Sequence, residues 1–333
     1  MFPAALARSA HFNSPTAVFV HTFVHRQLDM WRGMFARLDG MRRQAGFDGL
    51  PDLDSLWGPR DLIVSTSVAA FDAPPQPGWE KVRHAGPVLE DERFAVPTPL
   101  PWPENDPTPL VLVSFSTGFE QRNVDKVQRA LDALADLPVH VVATTGGIVA
   151  PNEVATPQNA IVLNYAAHDP IMRRAALVIT HGGHGTAMRA LRHGVPMVVI
   201  PGLAGDQPFV AAAVQEFGAG LALPGDADAA AMRAAALAVL DNPAYRAEAR
   251  RRAEALTECG SARAGAGGRV SGWPQRRFTG GGVNLLDVPG ELAGVRAPVG
   301  RKLRGCPIRA GAAMLCFSQA KPDEGAPWNT CIR

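Results

Sequence analysis

The chain has 333 residues and a formal net charge of +2, but residues 260–333 contain 11 Lys or Arg and only 4 Asp or Glu. That segment therefore carries about +7 and residues 1–259 about −5. The 47% hydrophobic content suffices for packed cores, no run reaches the ~18 apolar residues of a membrane span, and a lone cysteine before residue 260 excludes a disulfide scaffold there.

The first hundred residues predict three strands, one helix and a linker. Strands are expected at residues 16–20, 61–66 and 81–84, and a helix at 26–46 with a bend near Gly33. Seven prolines between Pro87 and Pro109 exclude a helix or a central strand. We therefore predict an N-terminal domain at residues 1–86 and an extended linker at residues 87–109.

After the linker, strands and helices alternate. Leu110–Phe115 is an apolar run typical of a strand buried on both faces, and apolar residues at helical spacing follow over 121–135. This alternation predicts an α/β domain at residues 110–259 with a parallel sheet and helices on both faces. Further strands are expected at 139–143, 160–163, 177–180 and 197–200, and helices at 169–174, 186–193, 207–217, 229–240 and 243–258.

Residues 260–333 lose this periodicity, with repeated glycines and short, unphased apolar runs. Three interpretations remain open: a disordered basic tail, a nucleic-acid-binding arm, or an out-of-frame translation of a GC-rich gene. The enrichment in Arg, Gly, Pro, Trp and Cys with few acidic residues favours the third. Because residues 1–259 are acidic, we expect no nucleic-acid partner. Residues 1–23 do not form a convincing signal peptide, and we expect a cytoplasmic protein.

A glycine-rich turn, Thr180-His-Gly-Gly-His-Gly-Thr186, connects a predicted strand to a predicted helix. Glycines let backbone N–H groups approach phosphate oxygens, and a helix N-terminus adds free donors and a positive dipole end. His181 adds a donor, as does Thr186, which can also cap the helix. The turn is neither a Walker A loop nor a GxGxxG motif, since Met188 stands where a third glycine is needed. A phosphate site and a purely structural turn both remain open on this segment alone.

Asp206 and Gln207 follow the next predicted strand, at the same edge of the sheet as His181. A carboxylate that accepts two hydroxyl protons beside an amide that donates and accepts suits a polyhydroxyl ligand. The alternative is that Asp206 only caps its helix.

A metal site is the competing interpretation of the histidines near the turn. His181 and His184 are three residues apart, but no Cys or carboxylate stands at zinc spacing from them, and His168 and His193 do not complete a set. We predict no metal and no cofactor.

Taken together, His181-Gly-Gly-His-Gly-Thr186, Gly194-Val-Pro196 and Asp206-Gln207-Pro208 resemble the nucleotide-sugar signature of GT-B glycosyltransferases. The group most similar is the bacterial macrolide-type, UDP-glycosyltransferase-like family that glycosylates antibiotics and other natural products. The similarity covers about residues 15–256. It implies two Rossmann-like domains, of which residues 1–86 would be an incomplete acceptor-side domain and residues 110–259 the donor-binding domain.

The resemblance implies transfer of a sugar from a TDP- or UDP-sugar co-substrate to a hydroxyl of a small hydrophobic aglycone, by inverting displacement. It implies no metal. Ala167 departs from the family's usual proline, which affects only the base side of the site. The matching positions are Ser116, Thr117, His181, Gly182, Gly183, Gly185 and Thr186 for the diphosphate, Asp206 and Gln207 for the donor sugar, and Thr144, Tyr165 and His168 for the base.

The family's general base is a histidine early in the N-terminal domain, oriented by a carboxylate. No residue of this sequence matches it by motif: His11 and His25 are not assigned the role, and His21 is expected to line the acceptor cleft or pack locally. The expectation is therefore an N-terminally truncated chain. The alternative function is a catalytically inactive donor-binding remnant or a non-catalytic partner protein, with a partner chain covering the incomplete sheet.

Overall fold

The computed structural model describes residues 17–49, 62–75, 77, 79, 82–89, 98–115, 118, 122–202 and 205–258. The predictions for His11, Ser116, Thr117 and residues 260–333 concern residues outside this set.

A three-stranded parallel sheet forms the first part of the fold, in the order β1-β2-β3. A helix, α1, follows a short 3₁₀ turn at His25–Gln27. These elements confirm the three predicted strands, and the regular helix begins at residue 28 rather than 26. The bounds are β1 Ala17–Val20, α1 Leu28–Gln44, β2 Leu62–Ser65 and β3 Val82–His84.

A six-stranded parallel sheet forms the second part, in the order β6-β5-β4-β7-β8-β9. The α/β class and the parallel sheet predicted from the sequence are confirmed. The strands are β4 Leu110–Ser114, β5 His140–Thr144, β6 Ala160–Leu163, β7 Ala175–Thr180, β8 Met197–Val199 and β9 Gly220–Ala222, and the helices are α2 Val124–Leu134, α3 His168–Met172, α4 His184–Arg192, α5 Gln207–Glu216, α6 Ala229–Asp241 and α7 Pro243–Glu258.

The central strand β4 shows why this sheet needs helices on both faces. Leu110 and Leu112 pack in one core with α4, α5 and α7, whereas Val111 and Val113 pack in the other with α2 and α6. Successive side chains of a strand point to opposite faces, so a continuous apolar run requires cover on both.

Two helix starts and one additional strand differ from the sequence prediction for local reasons. Helix α2 starts at Val124 rather than 121, because the Asn123 side chain caps it by accepting a 2.8 Å hydrogen bond from the Lys126 backbone. Helix α4 starts at His184 with Gly183 as its N-cap, so the prediction that Thr186 caps this helix is wrong. Strand β9 was not predicted, because it has only three residues and begins with a glycine.

The loops that follow β1 and β2 pack against the second sheet. Phe23 and Phe71 belong to the same buried cluster as Met188 of α4. Arg26 forms a two-pronged ion pair with Glu216 at the end of α5, with N–O distances of 3.2 and 2.7 Å. The carboxyl end of the first sheet is thereby held beside the start of α4. The predicted domain boundaries stay predictions.

Within the described part of the chain, none of the helices is both long and apolar enough to cross a membrane.

Candidate functional site

The site lies where the strand order of the large sheet reverses. From β4 the chain adds β5 and β6 on one side, and then β7, β8 and β9 on the other. Ser114 and Thr180, the last residues of β4 and β7, are register partners, so Phe115 and His181 leave the sheet side by side. In open parallel sheets, ligands bind in the crevice beyond the carboxyl ends at such a reversal point.

The turn after β7 requires its glycines. Gly182 has a φ of +83°, and a Cβ there would lie 2.8 Å from Val199 Cγ1. A Cβ on Gly183 would lie 2.6 Å from His181 Nε2. The chain therefore passes tightly against β8, and the His181 imidazole lies directly over the turn.

The first turn of α4 leaves backbone donors facing open space. Gly185 and Thr186 lie in this turn, where backbone N–H groups have no partner within the helix, whereas the His184 N–H donates to the Asp206 carboxyl. A Cβ on Gly185 would meet no atom within 4 Å. Free donors, the positive end of the helix dipole and unfilled space are together what an anion needs.

The His181 imidazole borders this region through Nε2, the ring atom nearest to Gly183. Its Nδ1 is buried and has no hydrogen-bond partner. Burial lowers the pKa of His181 to about 4; the Ser114 backbone opposes the shift and the charge of Lys126 reinforces it. The ring is therefore neutral near pH 7, where a neutral imidazole can donate one hydrogen bond and accept another.

The predicted base-side residues come together at the ends of β5 and β6. Thr144 Oγ1 and His168 Nε2 are hydrogen-bonded at 3.0 Å. Tyr165 is 70% exposed, and its hydroxyl covers Gly147: a Cβ there would lie 2.7 Å from that oxygen. Ala167, which replaces the usual proline, has a φ of −67°, the value that proline imposes. The backbone at Ala167 therefore has a conformation that proline also adopts.

Asp206 and Gln207 begin α5 and have different surroundings. Asp206 is the N-cap residue, but its side chain makes no capping hydrogen bond, so the alternative of a purely capping role is wrong. Burial raises the pKa of its carboxyl. The backbone N–H of Asp206 itself, the charge of His21 and the His184 backbone each oppose this rise. Gln207 is buried, and its Oε1 accepts a 2.8 Å hydrogen bond from the Gly202 backbone. Asp206 thus faces the crevice, while Gln207 holds the loop that carries it.

Two imidazoles meet where the first sheet touches α4. The exposed His21, directly after β1, lies edge to face with the buried His184, with ring centroids 5.2 Å apart. Burial lowers the pKa of His184 to about 3, and the neighbouring His21 adds to the shift. The structure therefore brings His21 beside the first turn of α4.

Asp72 was missed by the sequence interpretation. This buried carboxylate accepts hydrogen bonds from the backbone of Val24, His25 and Arg26, and His84 Nε2 lies 3.1 Å from it. Burial opposes ionisation, but these hydrogen bonds, that of His84 first, lower the pKa of Asp72 to about 2. It anchors the segment between β1 and α1. No sequence motif marks it, since its backbone partners are more than forty residues away and His84 is twelve residues away.

A second buried carboxylate, that of Asp169, contacts Arg189 of α4 and His193, which directly follows this helix. Asp169 Oδ1 lies 2.8 Å from His193 Nε2, and Asp169 Oδ2 lies 2.9 Å from Arg189 Nε. This network joins α3 to α4, so His193 has a structural role here. Within the described residues, His, Cys, Asp and Glu side chains form no group of three that suits a metal ion.

Comparison with known proteins finds relatives for part of the chain. Residues 128–262 match the model of the erythromycin biosynthesis protein CIII-like C-terminal domain. A PGL/p-HBAD biosynthesis glycosyltransferase of Mycobacterium tuberculosis is 34% identical over 175 residues, which cover 52% of this chain and 39% of that protein. The chain thus spans less than half the length of that relative.

Solved structures show the same fold. The calicheamicin glycosyltransferase CalG4 matches with a TM-score of 0.63 and 22% identity, covering 80% of this chain and 70% of CalG4. The spinosyn rhamnosyltransferase SpnG complexed with thymidine diphosphate matches with a TM-score of 0.55 and 22% identity, covering 77% of this chain and 67% of SpnG. The fold is that of GT-B glycosyltransferases, and the chain is a homologue of the natural-product glycosyltransferases.

Proposed function

We propose that this chain binds a TDP- or UDP-sugar at the carboxyl edge of its six-stranded sheet and takes part in transferring the sugar to a hydroxyl of a small hydrophobic natural product. The observation that carries the proposal is the turn after β7. There, the His181 imidazole, the backbone N–H groups of Gly185 and Thr186 and the open space over Gly185 adjoin one another. That SpnG was solved with thymidine diphosphate supports the choice of a nucleoside diphosphate.

The proposed ligand lies across the carboxyl ends of the strands, with its base, diphosphate and sugar in that order. The diphosphate is bound by His181 and the first turn of α4, and the base lies towards β5 and β6, on Tyr165. An exposed aromatic ring over a glycine turn is a stacking platform for a base. The sugar lies towards Asp206, whose carboxylate accepts hydroxyl protons. Ser116 and Thr117 stay proposed diphosphate contacts.

The proposed reaction is a single displacement with inversion. The acceptor oxygen attacks the anomeric carbon, the bond to the diphosphate breaks, and a general base takes the acceptor proton. Backbone donors at α4 stabilise the charge that develops on the leaving diphosphate. His21, beside Asp206 on the first-sheet side, lines the acceptor part of the crevice in this proposal.

Transfer and binding are tested together. The purified chain is incubated with labelled TDP- or UDP-glucose and a panel of aglycones, with His181→Ala as the control. Product from the wild type above the variant's level supports transfer. Nucleotide binding without product supports the alternative, a non-catalytic donor-binding protein. A cytoplasmic location and a partner chain beside β1 or β3, each of which pairs on one side only within the described residues, also stay proposals.

A further inference from the structure

Lys126 is a buried cation that the proposed diphosphate, base and sugar contacts do not include. It is 8% exposed, and its Nζ donates one long hydrogen bond, 3.4 Å, to the Ile200 carbonyl. The Phe115 ring centroid lies 6.0 Å away. Within the described residues, no carboxylate pairs with this ammonium. Burying a charge without a counter-ion is unfavourable, so the arrangement calls for an anion.

A second cation beside Lys126 increases this cost. Arg129 is one turn further along α2, and its Nε is buried without a hydrogen-bond partner. Burial first, and the charge of Arg129 second, lower the pKa of Lys126. A negative group that enters the neighbourhood favours the charged form of Lys126 and so offsets both effects.

Hydrogen bonds connect Lys126 to the turn after β7. Its ammonium binds the Ile200 carbonyl, and the Ile200 backbone N–H donates to the Thr180 carbonyl at 2.8 Å. His181 is the next residue. Phe115 and Ile200 follow β4 and β8, the strands on either side of β7, so the ammonium lies at the carboxyl edge where the strand order reverses.

We propose that the Lys126 ammonium is the counter-ion of the diphosphate that binds at the His181–Thr186 turn. The inference rests on the proposed function, and it deepens it by assigning a charged side chain to a site otherwise made of neutral donors. In the empty protein, the Ile200 carbonyl holds the ammonium; the bound diphosphate gives it a partner of opposite charge.

Calorimetry on wild type, Lys126→Met and Lys126→Arg tests this with TDP and UDP, and with thymidine and uridine as ligands that lack phosphate. Lys126→Met should weaken diphosphate binding by about tenfold to a hundredfold, the usual effect of losing one charge-assisted hydrogen bond. It should leave nucleoside binding unchanged. Lys126→Arg keeps the charge and should therefore lose much less affinity for the diphosphates. Arg233→Met is the matched control, since Arg233 also donates to a backbone carbonyl, that of Ala133, but at the other end of α2.

The outcomes separate this inference from the proposed function. If the wild type binds the diphosphates and Lys126→Met binds them equally well, or loses diphosphate and nucleoside alike, the counter-ion role is overturned. If the wild type binds none of the four ligands, the proposed function itself fails. Should Lys126→Met not fold, Lys126→Gln replaces it, with the same expectations.

Discussion

The imidazole rings of His21 and His184 meet edge to face, with centroids 5.2 Å apart, one carried by the loop after β1 and the other by the first turn of α4. This contact links the carboxyl end of the first sheet to that of the second. His184 Nε2 is buried without a partner, and Phe23 packs against the same ring. The ring therefore acts as an apolar aromatic group, which is consistent with its low pKa.

The buried histidines make the stability of the protein depend on pH. Burial, the largest cause for each, lowers the pKa of His168 and His181 to about 4 and that of His184 to about 3. Between about pH 6.5 and pH 4 the unfolded chain takes up protons that the folded chain does not. The free energy of unfolding is therefore highest above about pH 6.5 and falls as the pH drops, by up to about 1.4 kcal/mol per pH unit for each group.

His184→Phe should reduce this pH dependence, since it removes one of the three groups and keeps an aromatic ring. The measurement is urea unfolding of both proteins at about pH 7 and pH 5. The pKa of Asp72 is also lowered, but its protonation reduces stability only below about pH 4, outside the range from pH 7 to pH 5. An equal loss of stability in variant and wild type would show that His184 is not held neutral.

Two glycines of the turn should respond in opposite ways to alanine. Gly182→Ala forces a positive φ on a residue with a Cβ and brings that carbon to 2.8 Å from Val199, so it should destabilise the fold by about 1–3 kcal/mol. Gly185→Ala has free space and a helical position, so it should stabilise the protein by up to about 1 kcal/mol.

Ligand binding then separates the two roles. In our account, the space over Gly185 belongs to the diphosphate, so Gly185→Ala should weaken TDP binding while raising the melting temperature. If Gly185→Ala binds TDP as tightly as the wild type, the diphosphate does not occupy that space.

The exposed ring of Tyr165 should contribute to affinity through stacking. Tyr165→Ala should weaken TDP and thymidine binding alike, by about 1–3 kcal/mol, the range found for a base on an aromatic side chain. Tyr165→Phe keeps the ring and should change little. Calorimetry with both ligands checks this, and a large loss in the Phe variant would argue that the hydroxyl, and not the ring face, contacts the base.

Local patterns predicted the fold well, because strands of a two-sided parallel sheet are continuous apolar runs. Leu110–Ser114 was clear for that reason, whereas Gly220–Ala222 was too short and too poor in β-branched residues. The glycine-rich turn after β7 could be recognised from its composition. The burial of Lys126 could not be recognised from the sequence. It lies four residues before the buried Ala130, but a charge beside an apolar stripe usually lies at a solvent boundary. Only the packing of α2 against Ile200 reveals that it is buried.

The most direct test of the account is calorimetric titration of the purified chain with TDP and UDP, in the wild type and in His181→Ala. We expect the wild type to bind at least one of them, and His181→Ala to bind it about tenfold or more weakly, since a hydrogen bond to a charged group is lost. Urea unfolding of both proteins checks that the variant is folded, because His181→Ala also removes a largely buried ring that interacts with the Ser114 backbone. Absence of binding by the wild type, or equal affinity in wild type and variant, would contradict a diphosphate site at the turn after β7.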